Sequence, residues 1–196
     1  VTGLTPLAGD ASNRRYFRVA LKGKPSALIL MQLADPEGFK KSEEAVSGAS
    51  VQIAELPFTN VLAHLQRTGV TVPQLHYYDR EAGLLYLEDF GDLTLAEACR
   101  DADRDRLVAF YRQAIDQLVL LQVKGTQPPA PGCIAFHRRF DVPLLMWEFD
   151  HFLEYGIAAR LGQPMKPADD AAVRAAFQRI AELLAGQPQV FVHRDY

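Results

Sequence analysis

The apolar pattern of this chain changes once, near Glu88 to Asp92, and that switch limits the fold more than any other feature. Before it, short runs rich in Val, Leu, Tyr and Phe alternate with turn residues, the pattern of strands. After it, apolar residues recur every three or four positions, the pattern of helices. Arg14 to Leu21 and Ala27 to Leu33 read as an antiparallel pair joined by Lys22-Gly23-Lys24-Pro25. Val51 to Arg67 has helical spacing, with Val51, Leu56, Val61, Leu62 and Leu65 near one face and Gly69 placed to end it. Gln74 to Tyr78 and Leu84 to Glu88 form a second hairpin, with Gly83 available for positive φ.

Beyond Gly91 the expected elements are mostly helices. Leu93 to Arg100 is a short one. Asp103 to Gln122 is long, with Leu107, Phe110, Ala114, Leu118 and Leu121 at helical spacing and Asp103 and Asp105 at the positive end of its dipole. Lys124 to Cys133 is a proline-rich loop. Phe140 to Leu161 reads as an aromatic helix, and Asp169 to Ala185 as an amphipathic one. Gln189 to Val192 reads as a short strand. A sheet-rich part followed by a helical part is an α+β chain. The expected division is residues 1–91 and 92–196, with a cleft between two lobes as the natural place for a ligand.

Composition narrows the function classes. The 196 residues are 48% hydrophobic and 23% charged, which supports a packed core rather than disorder. A net charge of -3 gives no basic excess for general nucleic-acid binding. No apolar run approaches the roughly 20 residues of a membrane span. Cys99 and Cys133 form no CxxC pair and no metal spacing, so they read as ordinary thiols of a cytoplasmic protein. His64, His76, His137 and His151 likewise show no metal spacing.

The residues with the most chemistry are the last ones. Val190-Phe191-Val192 runs into His193-Arg194-Asp195-Tyr196. Phosphoryl transfer needs an oxygen nucleophile held in line with a carboxylate at its proton, and in protein kinases a His-Arg-Asp loop presents that carboxylate. Read alone, the tripeptide is equally an exposed polar tail. Its position after hairpin, strand, helix, hairpin and helices is the order of a kinase-like chain.

At this point the chain resembles a known family. Gly9-Asp10-Ala11-Ser12-Asn13-Arg14-Arg15-Tyr16-Phe17-Arg18-Val19 is similar to the nucleotide-covering hairpin of bacterial aminoglycoside-phosphotransferase-like kinases. Gly69 to Pro73 and Leu84 to Asp92 resemble that family's strand and interlobe linker, and Phe140 to Phe152 its aromatic helical segment. The likeness is greatest to the branch that includes the N-acetylmuramate/N-acetylglucosamine anomeric kinases. The resemblance implies a protein-kinase-like fold: an antiparallel-sheet N-lobe with one helix, followed by an incomplete helical C-lobe. It also implies ATP-dependent transfer of the γ-phosphate to a hydroxyl of a small metabolite, a sugar or amino sugar.

It assigns roles residue by residue. Gly9, Asp10, Ala11 and Ser12 would lie over the nucleotide phosphates, where small residues let backbone N–H groups approach. Glu88 and Phe90 would offer backbone groups to adenine, and Leu87 would border the base. Asp195 would be the catalytic carboxylate, with His193 bracing the loop. Trp147 or Tyr155 would stack on a sugar ring, with Glu148 and Asp150 on its hydroxyls; packing between helices is the other reading of the aromatics.

Two departures stand out. The family's strand lysine is missing, with Met31 and Gln32 near its place. Arg15 or Arg18, on opposite faces of the first hairpin, would supply the cation, and Glu55 is the natural helix glutamate, with Glu43 and Glu44 as competitors. The sequence also stops one residue after Asp195, so ligands for Mg²⁺ are expected beyond residue 196, and this chain by itself is expected to be inactive. The lysine's absence also admits a nucleotide-binding regulatory pseudokinase.

Overall fold

The computed structural model describes residues 1–8, 14–34, 55–194 and 196. Five strands form one antiparallel sheet in the order β1-β2-β3-β5-β4. They are β1 (Gly3–Pro6), β2 (Arg15–Ala20), β3 (Ala27–Gln32), β4 (Leu75–Asp79) and β5 (Leu84–Glu88). The helices are α1 (Pro57–Thr68), α2 (Leu95–Arg100), α3 (Arg104–Thr126), α4 (Val142–His151) and α5 (Pro167–Ala185). A 3₁₀ turn covers Ile134–His137, and a π-helical stretch, Phe152–Ala159, continues α4. The order is strands around one helix, then helices, so the chain is α+β as its pattern requires.

Two compact units are present. One comprises Val1–Lys40 with Leu65–Leu121 and Tyr196; the other comprises Lys41–His64 with Gln122–Asp195. Among the described residues, no helix is long and apolar enough to cross a membrane.

In the first unit, register fixes the faces of the sheet. Tyr16, Arg18 and Ala20 pair with Met31, Ile29 and Ala27, and Ile29 and Met31 pair in turn with Leu87 and Leu85. Residues opposite each other share a face, so Arg18, Ile29, Met31, Leu85 and Leu87 lie together. This is the sealed face: Met31 is 1% exposed and Leu85 0%. Arg15, Phe17, Leu30, Gln32 and Glu88 project from the other. The edge strand β1 was not read from the sequence. Four residues bounded by Gly3 and Pro6 carry too little alternation, and proline is tolerated at a sheet edge because no ladder donor is needed there.

The first helix begins later than its spacing suggests. Pro57 takes the first turn, where its missing N–H costs nothing, and the Leu56 carbonyl accepts the Asn60 N–H at 3.0 Å. Residues 51–54 of the expected helix lie outside the described ones. At the other end Gly69 adopts φ 80°, with its N–H on the Gln66 carbonyl and the Val70 N–H on the Leu65 carbonyl. That is the double closure a left-handed glycine permits, as expected. Gly83 also takes positive φ, at 65°.

In the second unit, α1 is bolted to the loop after α3. The buried Asn60 donates to the Gly132 carbonyl at 2.8 Å and accepts the Ile134 N–H at 2.8 Å. His64, 2% exposed, donates from Nε2 to the Gly125 carbonyl at 2.7 Å. Its ring stacks on Phe191 at 5.7 Å and meets the Phe136 ring edge-on at 5.3 Å. Asp141 caps α4 by accepting the Leu144 N–H at 3.0 Å. Phe149 stacks on Phe177 of α5 at 4.3 Å, and Phe152 meets the same ring edge-on. The strand expected at Gln189–Val192 does not form. The Phe191 N–H goes to the Thr126 hydroxyl at 2.8 Å rather than to a neighbouring strand.

Candidate active site

Base-binding candidates cluster at the end of β5. Leu87 is buried on the sealed face. Glu88 donates its N–H to the Gln74 carbonyl at 2.8 Å. A regular antiparallel pair would return the Gln74 N–H to the Glu88 carbonyl. Here the Glu88 carboxylate takes that N–H at 3.0 Å. The side chain therefore substitutes for its own carbonyl in the ladder and leaves that carbonyl to another donor. Phe90 follows with an exposed ring, so what it can offer a ligand is backbone. A main-chain acceptor at Glu88 and a main-chain donor at Phe90 suit the edge of a purine, and these residues fit a nucleotide base.

The segment that carries them is pinned by Arg18. Its Nε and Nη2 donate to Asp89 at 2.6 and 3.1 Å, and its Nη1 and Nη2 donate to Asp92 at 2.8 Å each. Two carboxylates thus grip one guanidinium in fork geometry. Asp89 also accepts the Gly91 N–H at 2.8 Å, closing a tight turn with Gly91 at φ 81°. The Arg18 hydrogen bonds hold the Asp89 and Asp92 carboxyls below the usual carboxylate range, against a weaker opposing effect of desolvation. Asp92 and then Asp89 push the Arg18 guanidinium further above its ordinary value. Thr94 and Glu97 then exchange hydrogen bonds in a capping box that starts α2, and those bonds lower the Glu97 carboxyl.

The structure separates the two cations considered for the phosphates. Arg18 shares a face with Leu87 and Met31 but is committed to Asp89 and Asp92. Arg15, opposite Gln32, projects from the other face, so its side chain does not join Leu87. Gly9, Asp10, Ala11 and Ser12 lie outside the described residues; β1 and β2 pair on either side of them. Glu55 precedes α1 instead of lying on it, and accepts from the Asn60 side chain at 3.1 Å. The signal for the Arg18 clamp was present in strand parity. A charged residue at an inward position of β2 requires a carboxylate, and Asp89 and Asp92 follow β5.

Asp195 lies outside the described residues; the residues around it are described. Among those, Arg194 is the one non-glycine residue at positive φ, 79°. An L-residue there costs about 1–2 kcal/mol relative to the right-handed region. Its Nη2 is 3.5 Å from Glu148 Oε1, and its Cζ is 5.6 Å from the centre of the Phe140 ring.

The proposed sugar-side residues divide. Trp147, His151 and Tyr155 follow at four-residue intervals along one helical face. The Trp147 and His151 rings are 4.0 Å apart, those of His151 and Tyr155 5.8 Å, and the Trp147 carbonyl meets His151 Nδ1 at 3.0 Å. Tyr155, 62% exposed, is the open end of that ladder. Phe149 and Phe152, by contrast, pack between helices. Asp150 is not held for a ligand: it pairs with Arg174, which also binds Asp170 at 2.9 Å and whose guanidinium is raised by both. Among the described residues, no three His, Cys, Asp or Glu side chains converge as metal ligands, so no step is assigned to a metal on them.

The arrangement defines a class of protein. The model of the phosphotransferase enzyme family (APH) matches residues 3–196, and the chain belongs to that family. The N-acetylmuramate/N-acetylglucosamine kinase of Pseudomonas putida is 30% identical over 98% of this chain and 49% of its own length. The protein of the same name from Pseudomonas aeruginosa is 29% identical over 98% of this chain and 49% of its own length. That from Neisseria meningitidis is 26% identical, over 98% and 51%. The chain spans about half the length of the curated relatives it matches.

Proposed function

We propose that the full-length protein transfers the γ-phosphoryl group of ATP to a hydroxyl of a small metabolite, an amino sugar of the N-acetylglucosamine or N-acetylmuramate type. The acceptor oxygen attacks the γ-phosphorus, the bond to the bridging β,γ-oxygen breaks, and ADP leaves. Asp195 receives the hydroxyl proton. Glu88 offers its carbonyl and Phe90 its N–H to the adenine edge, while Leu87 borders the ring. The turn through Gly9, Asp10, Ala11 and Ser12 covers the phosphates with backbone N–H groups. Tyr155, at the open end of the Trp147–His151–Tyr155 ladder, presents an aromatic plane to the sugar's C–H face. Magnesium, when bound, would neutralise phosphate charge, and its ligands are proposed to lie outside the described residues.

The observation that carries the reading is the left-handed backbone of Arg194, directly before Asp195. Strain of this kind persists where surrounding structure over-determines it, and it collects at active sites. The test is Asp195→Asn in the full-length protein. Turnover is expected to fall by roughly 10²–10⁴-fold with nucleotide affinity retained. Unchanged turnover would remove Asp195 from the mechanism.

A second reading is a nucleotide-binding regulator without catalysis. It is favoured by one observation: Met31, near the place of the family's strand lysine, is sealed among apolar neighbours on the face that carries Leu87. Full-length protein that binds ATP and transfers nothing to any hydroxyl acceptor would select it.

A further inference from the structure

Glu148 was expected to bind substrate, yet it lies beside the guanidinium of Arg194, 3.5 Å from Nη2. The other face of the problem is Phe140, whose ring centre is 5.6 Å from Arg194 Cζ. Both anchors stand on rigid ground. Phe140 immediately precedes Asp141, whose carboxylate caps α4. Glu148 sits on α4 beside Phe149, which is stacked on Phe177 of α5. On the chain's near side, Phe191 is fixed by the Thr126 hydroxyl and the His64 ring. The backbone between Phe191 and Asp195 therefore leaves a fixed point and passes through a residue at φ 79° whose side chain is held from α4.

We propose that Glu148 and Phe140 are positioning residues for the catalytic loop. They hold the Arg194 side chain so that its backbone stays left-handed, and that backbone sets the direction in which Asp195 leaves the loop. The proposal rests on the reading of Asp195 as the base. An exposed ion pair and a cation–π contact are each weak alone. The difference between left- and right-handed backbone at one residue is also small. The two are matched in scale, so removing one anchor shifts the loop's population of conformers instead of unfolding it. Glycine needs no such holding, because it takes positive φ without steric cost.

That last point supplies the test, made on the full-length protein with ATP and N-acetylglucosamine. Glu148→Gln is expected to lower kcat about threefold to fivefold, the population shift that loss of an exposed ion pair allows, with acceptor KM unchanged. The same substitution in an Arg194→Gly background is expected to cost less than about twofold, because the backbone no longer depends on the anchor. Equal losses in both backgrounds, or a loss carried by acceptor KM, would overturn the proposal and return Glu148 to the substrate. Hydrogen exchange provides a readout that needs no change at residue 194. Glu148→Gln is expected to speed exchange of the amides of residues 193–196, and unchanged protection there counts against the proposal. Failure of the Asp195 assignment looks different: Asp195→Asn would then turn over like the wild type, whatever Glu148 does.

Discussion

Two arginines, Arg18 and Arg194, are held in opposite ways. Arg18 sits in the regular backbone of β2 and spends its guanidinium on two carboxylates, one of them, Asp89, only 10% exposed. Arg194 sits in a strained backbone, with a longer ion pair to Glu148 and the Phe140 aromatic face beside its side chain. At the candidate base-binding segment, strong side-chain bonds lock a relaxed main chain. At the candidate catalytic loop, modest contacts hold a strained one. The first arrangement suits a ligand edge that must find its donors in place. The second suits a carboxylate whose direction matters and whose loop must settle around a reacting group.

The largest expected effect comes from the ground beneath the loop. His64→Ala removes a buried ring, its bond to the Gly125 carbonyl and the stack on Phe191. A loss of about 3 kcal/mol in unfolding free energy is expected by denaturant titration. If instead stability barely changes, the loop has no firm base and the contrast between the two regions fails. Next is Arg18→Met, which leaves Asp89 and Asp92 without their counter-charge. Nucleotide KM is expected to rise roughly tenfold in the full-length protein while kcat is kept, because the misplaced group is the candidate base-binding segment and not the candidate carboxylate. A fall in kcat alone would show that the two arginines do the same work.

The pH dependence sharpens the contrast. Asp89 and Asp92 titrate lower in the folded chain than in the unfolded one. The clamp's stabilisation is thus fully present above the ordinary carboxylate pKa of about 4, and is lost as pH falls through the depressed folded values. The stability difference between wild type and Arg18→Met should be level from neutral pH down to about pH 5 and shrink below about pH 4. A difference that grows on acidification would contradict the clamp. The smallest effect is at α2. Thr94→Ala removes one side of the capping box and should cost about 1 kcal/mol.

What the sequence disclosed was periodic or punctuated by special backbone. Strand alternation placed β2, β3 and β5, while Gly69 marked the end of α1 and Gly83 the turn before β5, through φ that other residues avoid. The apolar spacing found α3 and α5 to within a few residues. What stayed hidden depends on groups far apart in the chain. Arg18 meets Asp89 across 71 positions, where strand parity marked the inward charge but not its partner, and Asp150 meets Arg174 across 24 with no local pattern to announce it. Gln189–Val192 looked like a strand because its residues favour one, yet a strand needs a partner edge, and Thr126 offered a hydroxyl instead. The site was legible to the same degree. His193-Arg194-Asp195 stood out by type and order, whereas the backbone of Arg194 and its hold by Glu148 are properties of packing.

The most direct test of the central claim is phosphorus NMR of the full-length protein with ATP, magnesium and N-acetylglucosamine or N-acetylmuramate. The account predicts a new phosphate-ester signal that grows as ATP is converted to ADP, and that Asp195→Asn abolishes. ATP that binds but yields no ester with either sugar would contradict it.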